Sequence, residues 1–327
     1  MTEMVGGPNV IRRRLLARTL QRARYQPLLS RILYGVGRPV HSVAETISRE
    51  IARKVRLNGG EATYDGIRLR FPRDVGPGYL SNITWYGQDG FEPHTWTALK
   101  TCLEGAGTFL DIGANIGFYS VLAHRIAPNA EILSFEPAPS IQTAARRFLA
   151  ANGVPDTICP VALSDHNGTA KLYLPAEDHD FGESSANTLV SDSWQAHQKH
   201  NEIQVEVARL DSFLGDRALT RPVIVKIDVE DHEAAVLRGA SNVIGAYRPI
   251  IVCEILPRTH GNRTTVDVLD SLGYLSYAIV SDGCFRFARD DFSRERFFTD
   301  FLLLPKEKID PSICFIPHGS RPYHESI

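Results

Sequence analysis

The rhythm of apolar and polar positions changes several times along this chain, and the changes mark out its elements. Within residues 60–73 the run GEATYDGIRLRFP alternates around a Tyr-Asp-Gly turn, which predicts a β-hairpin. A helix follows near 93–104. Beyond it, short apolar runs near 108–112, 131–135, 157–163, 223–228, 249–255, 274–280 and 299–304 read as buried strands. Between them, helical spacing recurs near 117–127, 139–152, 231–240 and 264–272. Alternation of this kind predicts a doubly wound α/β domain, a mostly parallel sheet with helices on both faces.

Residues 168–210 interrupt the alternation. They hold a hairpin-like piece (GTAKLYLPA), a polar stretch at 177–201 and a strand-like run (IQVEVARL). A polar stretch this long inside a compact domain is a functional loop or a disordered one. Upstream, residues 1–8 read as disordered and 9–33 as a basic, partly amphipathic helix, with Ile11, Leu15, Leu16 and Leu20 at helical spacing and a break at Pro27. No acid stands between Glu3 and Glu45, whereas arginines occupy 12, 13, 14, 18, 22, 24, 31 and 38. Such a helix either makes peripheral contact with an anionic membrane or a partner, or packs on the domain with a solvated arginine face.

Composition narrows the class. The 327 residues are 43% hydrophobic and 23% charged, with a formal net charge of -2. That is an ordinary soluble protein without the basic surplus of a nucleic-acid binder. No apolar run approaches the roughly 18 residues of a membrane span, and the start lacks the apolar core of a signal peptide. Cys102, Cys159, Cys253, Cys284 and Cys314 are scattered without metal-ligand spacing and read as reduced thiols. A cytoplasmic protein is expected. Its oligomeric state is not legible.

Two motifs carry chemistry. In FLDIGANIGFYSVLA (109–123) a buried strand ends in Asp111, a glycine turn follows, and an apolar helix starts at about Gly117. The first strand-to-helix turn of a doubly wound fold is where a nucleotide-like ligand lies. Gly113 would let backbone approach the ligand, Gly117 would let the helix pack on the sheet, and the helix start would offer free amides to a carboxylate. A dinucleotide fingerprint needs glycine where Asn115 stands. A side chain there crowds a pyrophosphate but suits the amino-acid end of a smaller ligand, whose ammonium Asp111 can meet. The combination favours S-adenosylmethionine over NAD. In EILSFEP, Glu136 follows Gly113 by 23 residues, about the spacing of an acid that accepts from ribose hydroxyls. At the end of VALSDHNG, Ser164 or Asp165 would lie near the adenine, with Asp165 accepting from its amine, although SDHNG also reads as a plain turn.

The second motif, VIVKIDVEDHEAAVLRGA (223–240), ends its strand in Asp228 and continues into Glu230, Asp231, His232 and Glu233. Acids at a helix start suit its dipole, but Asp228 sits at the ligand crevice. Methylating an alcohol requires removal of a proton. His232 is suited to that by type, with Asp228 and Glu230 beside it. Asp228 and Glu254, at the end of IIVCEI, could instead hold a divalent cation through hard oxygens.

These segments, FLDIGANIGFYS with SFEP, then VALSD, VKIDVEDHEAAVLRGA, IIVCEI and FLLLPK, resemble the FkbM family of methyltransferases over roughly residues 85–306. The resemblance implies the class I methyltransferase (Rossmann-like) fold, a seven-stranded sheet whose last strand is antiparallel. It also implies S-adenosylmethionine and, commonly, O-methylation of hydroxyls on sugars or natural products. Asp111, Gly113, Asn115, Gly117 and Glu136 match the family's cofactor residues. Glu92, in GFEPHTW, is similar to an acid the family places before the first strand, where it caps the cofactor's amino-acid end. Asp228, Glu230 and His232 match its D-V-E-G-H/A-E segment. Asp231 departs from it, standing where the family has glycine; if that glycine admits substrate, the carboxylate reshapes the acceptor side.

The expected organisation is a basic helical extension (1–60), a methyltransferase domain (61–310) and a tail (311–327). The expected acceptor is a small molecule or saccharide, not nucleic acid. A methyltransferase for a macromolecule is the second reading, although the segment after the fourth strand, DVED, lacks an amine-methylase tetrad and a nucleophilic cysteine. A non-catalytic, membrane-associated S-adenosylmethionine-binding module is the third.

Overall fold

A computed structural model describes residues 57–175, 188–190, 200–256, 260–281, 283–293 and 298–308. The basic segment 9–33, most of the polar stretch 177–201, Cys314 and the tail 311–327 lie outside the described residues. The chain divides into two compact units, with the main boundary at Phe91–Glu92.

In the first unit the expected hairpin forms from β1 (Gly60–Tyr64) and β2 (Ile67–Phe71), paired antiparallel from Gly60 opposite Phe71 to Tyr64 opposite Ile67. Asp65 and Gly66 at its tip both have positive φ, 46° and 77°, the combination a type I′ turn requires. A helix the sequence reading missed, α1 (Pro77–Tyr86), starts on Pro77, whose fixed φ suits a first helical position.

The second unit carries the α/β domain. Its helices are α2 (Pro93–Leu103), α3 (Phe118–Ile126), α4 (Pro139–Ala151), α5 (Leu210–Leu214), α6 (Glu233–Gly239), α7 (Ser241–Tyr247) and α8 (His260–Ser271). Its main strands are β3 (Thr108–Ile112), β4 (Glu131–Phe135), β5 (Ile158–Cys159), β9 (Val223–Ile227), β10 (Ile250–Glu254), β11 (Tyr274–Val280), β12 (Gly283–Phe287) and β13 (Asp300–Pro305). They form one sheet in the order β12-β11-β13-β10-β9-β3-β4-β5. The central pairs are parallel, and β13 runs antiparallel between β10 and β11. This is the class I methyltransferase sheet, with β12 added at one edge by a hairpin from β11. Every residue of β3 and β9 is buried, which explains why these strands read as nearly continuous apolar runs and do not alternate.

Three expectations need correction. The third strand does not run through 157–163: Pro160 cannot donate to a ladder, so β5 stops at Cys159 and the chain leaves the main sheet. The apparent hairpin at 168–176 is one long strand, β7 (Gly168–Pro175), which pairs antiparallel with β8 (His200–Ala208) across the polar stretch. With β6 (Ala162–Leu163) these form a separate three-stranded sheet. And the main sheet has eight strands among the described residues, not seven.

The main core unites one face of β9, β10 and β13 with α6, α7 and α8 through residues such as Val225, Leu237, Ile251, Leu269 and Leu303. Among the described residues no helix is long and apolar enough to cross a membrane. Cys102, Cys253 and Cys284 are buried and take part in no disulfide among the described residues.

Candidate active site

Strand order reverses between β3 and β9, and the sequence-predicted acids collect at the C-terminal edge of these strands. The Asp228 amide donates to the Ile112 carbonyl at 3.0 Å, lacing the loops after β9 and β3 together. Gly113, at φ 81°, has no room for a side chain: a Cβ would stand 1.8 Å from the Asp228 carbonyl oxygen. The space a side chain would need there is filled by the β9 loop. The amides of Gly113 and Ala114 both donate to the Phe135 carbonyl at 3.0 Å, and the Asn115 amide donates to Glu136 Oε2 at 3.2 Å. These turn amides serve the loop itself and are not free. Gly117 precedes α3 at φ 77°, and its Cβ would make only ordinary 3.5 Å contact with Leu149. Backbone conformation, not close packing, calls for glycine there.

Glu136, just past β4, is buried and receives the Ala138 amide on Oε1 at 2.8 Å as well as that of Asn115 on Oε2. Burial pushes its pKa up to about 7 against those two donors. An ionised carboxylate has about four lone-pair positions, so two remain for further donors.

Asp111 is buried and its Oδ2 accepts from Ser120 at 2.6 Å; Ser120 in turn contacts Ser134, and Ser134 contacts Thr157, each at 2.7 Å. Beside it on β9, register places Lys226 opposite Asp111. The Lys226 ammonium donates to Asp228 Oδ2 at 2.8 Å and lies 4.7 Å from the centre of the Tyr119 ring. Tyr119 donates to Glu92 Oε2 at 2.6 Å. Burial opposes the charged ammonium, but Asp228, Glu92 and Asp111 outweigh it and push the lysine pKa up. Burial alone would raise Asp228; Lys226 reverses that and holds it down. Glu92 is raised to about 7, chiefly by burial with Lys226 opposing. Glu254 is raised to about 11 by burial and the neighbouring Asp228 and Glu230. Asp300, opposite Glu254 in the antiparallel register, is raised by burial.

Oxygens of Asp228, Glu230 and Glu254 lie within 4.8 Å of one another. The two acids proposed for a divalent cation are thus brought together. Asp228 is also paired with Lys226, and burial beside Asp228 and Glu230 favours the protonated form of Glu254.

The turn leading into α6 is strained. Glu230 and Asp231 have φ values of 52° and 76°, while Glu92 and Asn115 have 37° and 50°. Four of the non-glycine residues with positive φ thus lie at this edge, a concentration found at sites held in place by their surroundings. The conformation of Asp231 is the one glycine adopts without cost. Backbone conformation is thus by itself a sufficient reason for a glycine at this position.

His232 Nε2 lies 3.0 Å from Ser164 Oγ, and burial pulls its pKa down to about 4. Asp165 stands apart from the acid cluster: His166 meets its Oδ1 at 3.1 Å, and Arg238 meets its Oδ2 at 2.9 and 3.1 Å. Lys226, Tyr119, Ser120 and Asp300 were not recognised from sequence. The one available signal was a lysine inside an otherwise apolar buried strand.

The family model for the Methyltransferase FkbM domain matches residues 111–278. The chain belongs to this family and is a methyltransferase. Among its relatives, it is 30% identical over 177 residues to Methyltransferase 1 of Beauveria bassiana, a match covering 50% of this chain and 71% of that one. It is 26% identical to the 31-O-demethyl-FK506 methyltransferase FkbM of Streptomyces tacrolimicus, over 44% of this chain and 64% of that one. It is 25% identical to the hexuronic acid methyltransferase AglP of Haloferax volcanii, over 55% of this chain and 66% of that one.

Proposed function

We propose that the protein is an S-adenosylmethionine-dependent O-methyltransferase whose acceptor is a hydroxyl on a sugar or glycosylated small molecule. The observation that carries the cofactor is the charge of the site. Lys226 is shared by Glu92, Asp111, Asp228 and Asp300. Such an edge attracts a cationic ligand and repels a pyrophosphate. The sulfonium and ammonium of S-adenosylmethionine fit it; the phosphates of NAD do not. When bound, S-adenosylmethionine supplies an electrophilic methyl group. Glu92, with Asp111 behind it, faces the ligand's ammonium. Glu136 accepts from the ribose hydroxyls through its two remaining lone-pair positions, and Asn115, Gly113 and Gly117 shape the turn between them. Asp228, Glu230 and His232 face the acceptor, whose hydroxyl must shed a proton as its oxygen gains the methyl. Asp165, bound to Arg238 at the rim, is the candidate for the adenine amine. The acceptor class draws on the names of the Streptomyces and Haloferax relatives.

Calorimetric titration with S-adenosylmethionine and with NAD tests the cofactor. Binding of the first alone is expected, weakened on the order of ten- to hundredfold in Glu136→Gln, because a buried carboxylate that accepts two hydroxyls is worth about 1.5–3 kcal/mol. Binding of NAD, or no binding to the folded protein, would sink the proposal.

Acidity adds a second test. Glu92 and Glu136 hold their protons up to about pH 7, whereas the proposed contacts require carboxylates. Affinity for S-adenosylmethionine should therefore rise from pH 6 to 7, with protons released on binding. It should fall again above about pH 8 as the ligand's α-amino group loses its charge. For folding the sign is opposite. The folded chain keeps protons that the unfolded chain releases between about pH 4.5 and 7, so these two acids contribute less stability as pH rises through that range. Affinity independent of pH between 6 and 7 would remove Glu92 and Glu136 from the binding role.

A further inference from the structure

We infer that neutral His232 carries its proton on Nδ1, a tautomer fixed by Ser164, and so meets the acceptor as a hydrogen-bond donor and not as the base. Its place toward the acceptor rests on the proposed function; the tautomer does not.

The inference follows from the direction of a hydrogen-bond chain. Asp165 is partly exposed and ionised, its carboxyl held below the usual range by the donors His166 and Arg238 against a burial effect. It can only accept. His166 Nδ1 lies 3.1 Å from Asp165 Oδ1 and must therefore carry hydrogen; an unprotonated nitrogen there would set a lone pair against a carboxylate. Ser164 Oγ lies 3.3 Å from that same Nδ1 and 3.0 Å from His232 Nε2. Since His166 Nδ1 is a donor, the acceptor left for the Ser164 hydroxyl is His232 Nε2. With Nε2 accepting, a neutral imidazole has its hydrogen on Nδ1.

Ser164 is well placed to impose this. It is fully buried, and its amide donates to the Ala208 carbonyl at 2.9 Å. A Cβ on Gly239 of α6 would stand 1.8 Å from the Ser164 carbonyl, so the segment carrying Ser164 and the helix that His232 immediately precedes are in backbone contact. Ser164 is a positioning residue: it acts on the acceptor through His232. Proton removal then falls to a carboxylate of the same turn, Asp228 or Glu230.

Two-bond proton–nitrogen correlation spectra of the uniformly ¹⁵N-labelled full chain at pH 7, without cofactor or acceptor, read the tautomer directly. The His232 pattern is assigned by its loss in His232→Gln. The Nδ1–H pattern is expected in the wild type, with a shift toward Nε2–H, the form favoured by an unconstrained imidazole, in Ser164→Ala. An Nε2–H or doubly protonated His232 in the wild type would overturn the inference. So would an Nδ1–H pattern unchanged in Ser164→Ala, since Ser164 would then not be what fixes it. Because no cofactor is present, the result is separate from the outcome of the titrations.

Discussion

Gly113→Ala should destabilise the protein by about 2–5 kcal/mol and abolish measurable S-adenosylmethionine binding. Two costs combine. An L-residue at φ 81° pays roughly 1–2 kcal/mol for left-handed backbone, and overpacking adds about 1–3 kcal/mol. The obstructing atom is the backbone carbonyl of Asp228 at 1.8 Å, which cannot swing aside as a side-chain tip would. Either the turn or the β9 loop must move by more than an ångström, and that displaces Asp228 and Lys226 relative to Asp111. Gly117→Ala is the matched comparison. It has a similar φ of 77° but only a 3.5 Å contact, so about 1–2 kcal/mol of strain is expected and binding should survive. Urea denaturation with calorimetry on both variants decides the matter. If Gly113→Ala proves as mild as Gly117→Ala, the tight contact between the β3 and β9 loops is not what the glycine serves.

Lys226→Met should cost about 3–5 kcal/mol at pH 8, the range for removing one partner of a buried ion pair. The side chain is 5% exposed and its partner Asp228 27% exposed, so solvent can soften the loss only partly. The pH dependence is more diagnostic than the size. Lys226 holds Asp228 below its usual pKa, so their pairing contributes above the unfolded carboxylate value of about 4 and is lost below it. Without the ammonium, Asp111, Glu92 and Asp300 would take up protons more readily. The difference between wild type and variant should therefore be widest near pH 8 and shrink toward pH 4, as read from urea midpoints across that range. A difference that stays constant with pH would mean Lys226 serves through its hydrocarbon stem and not its charge.

The sequence by itself determined the class of fold and most of the site's acids. Period and burial are written locally: VIVKI and TFLDI have the all-apolar character of doubly buried strands apart from Lys226 and Asp111, and helical spacing recurs between them. In a parallel sheet, strand ends of like direction gather at one edge. Reading Asp111, Glu136, Asp228 and Glu254 at or near strand ends was therefore enough to bring them together, and the structure puts them there.

What only the tertiary structure decided depends on separations that no local pattern encodes. The eight-residue ladder of β7 and β8 closes across the polar stretch, so each strand looked like a local piece when read alone. Ser164 meets His232 across 68 positions, and the direction of their hydrogen bond depends on Asp165 and His166 one and two residues past that serine. Asp300 joins the acids because β13 runs antiparallel, which puts its first residue at the edge where the parallel strands end. The roles of Gly113 and Lys226 were hidden for the same reason. A glycine signals that something comes close, and a buried lysine that something answers its charge; which atoms do so is fixed only when β3 and β9 pack side by side.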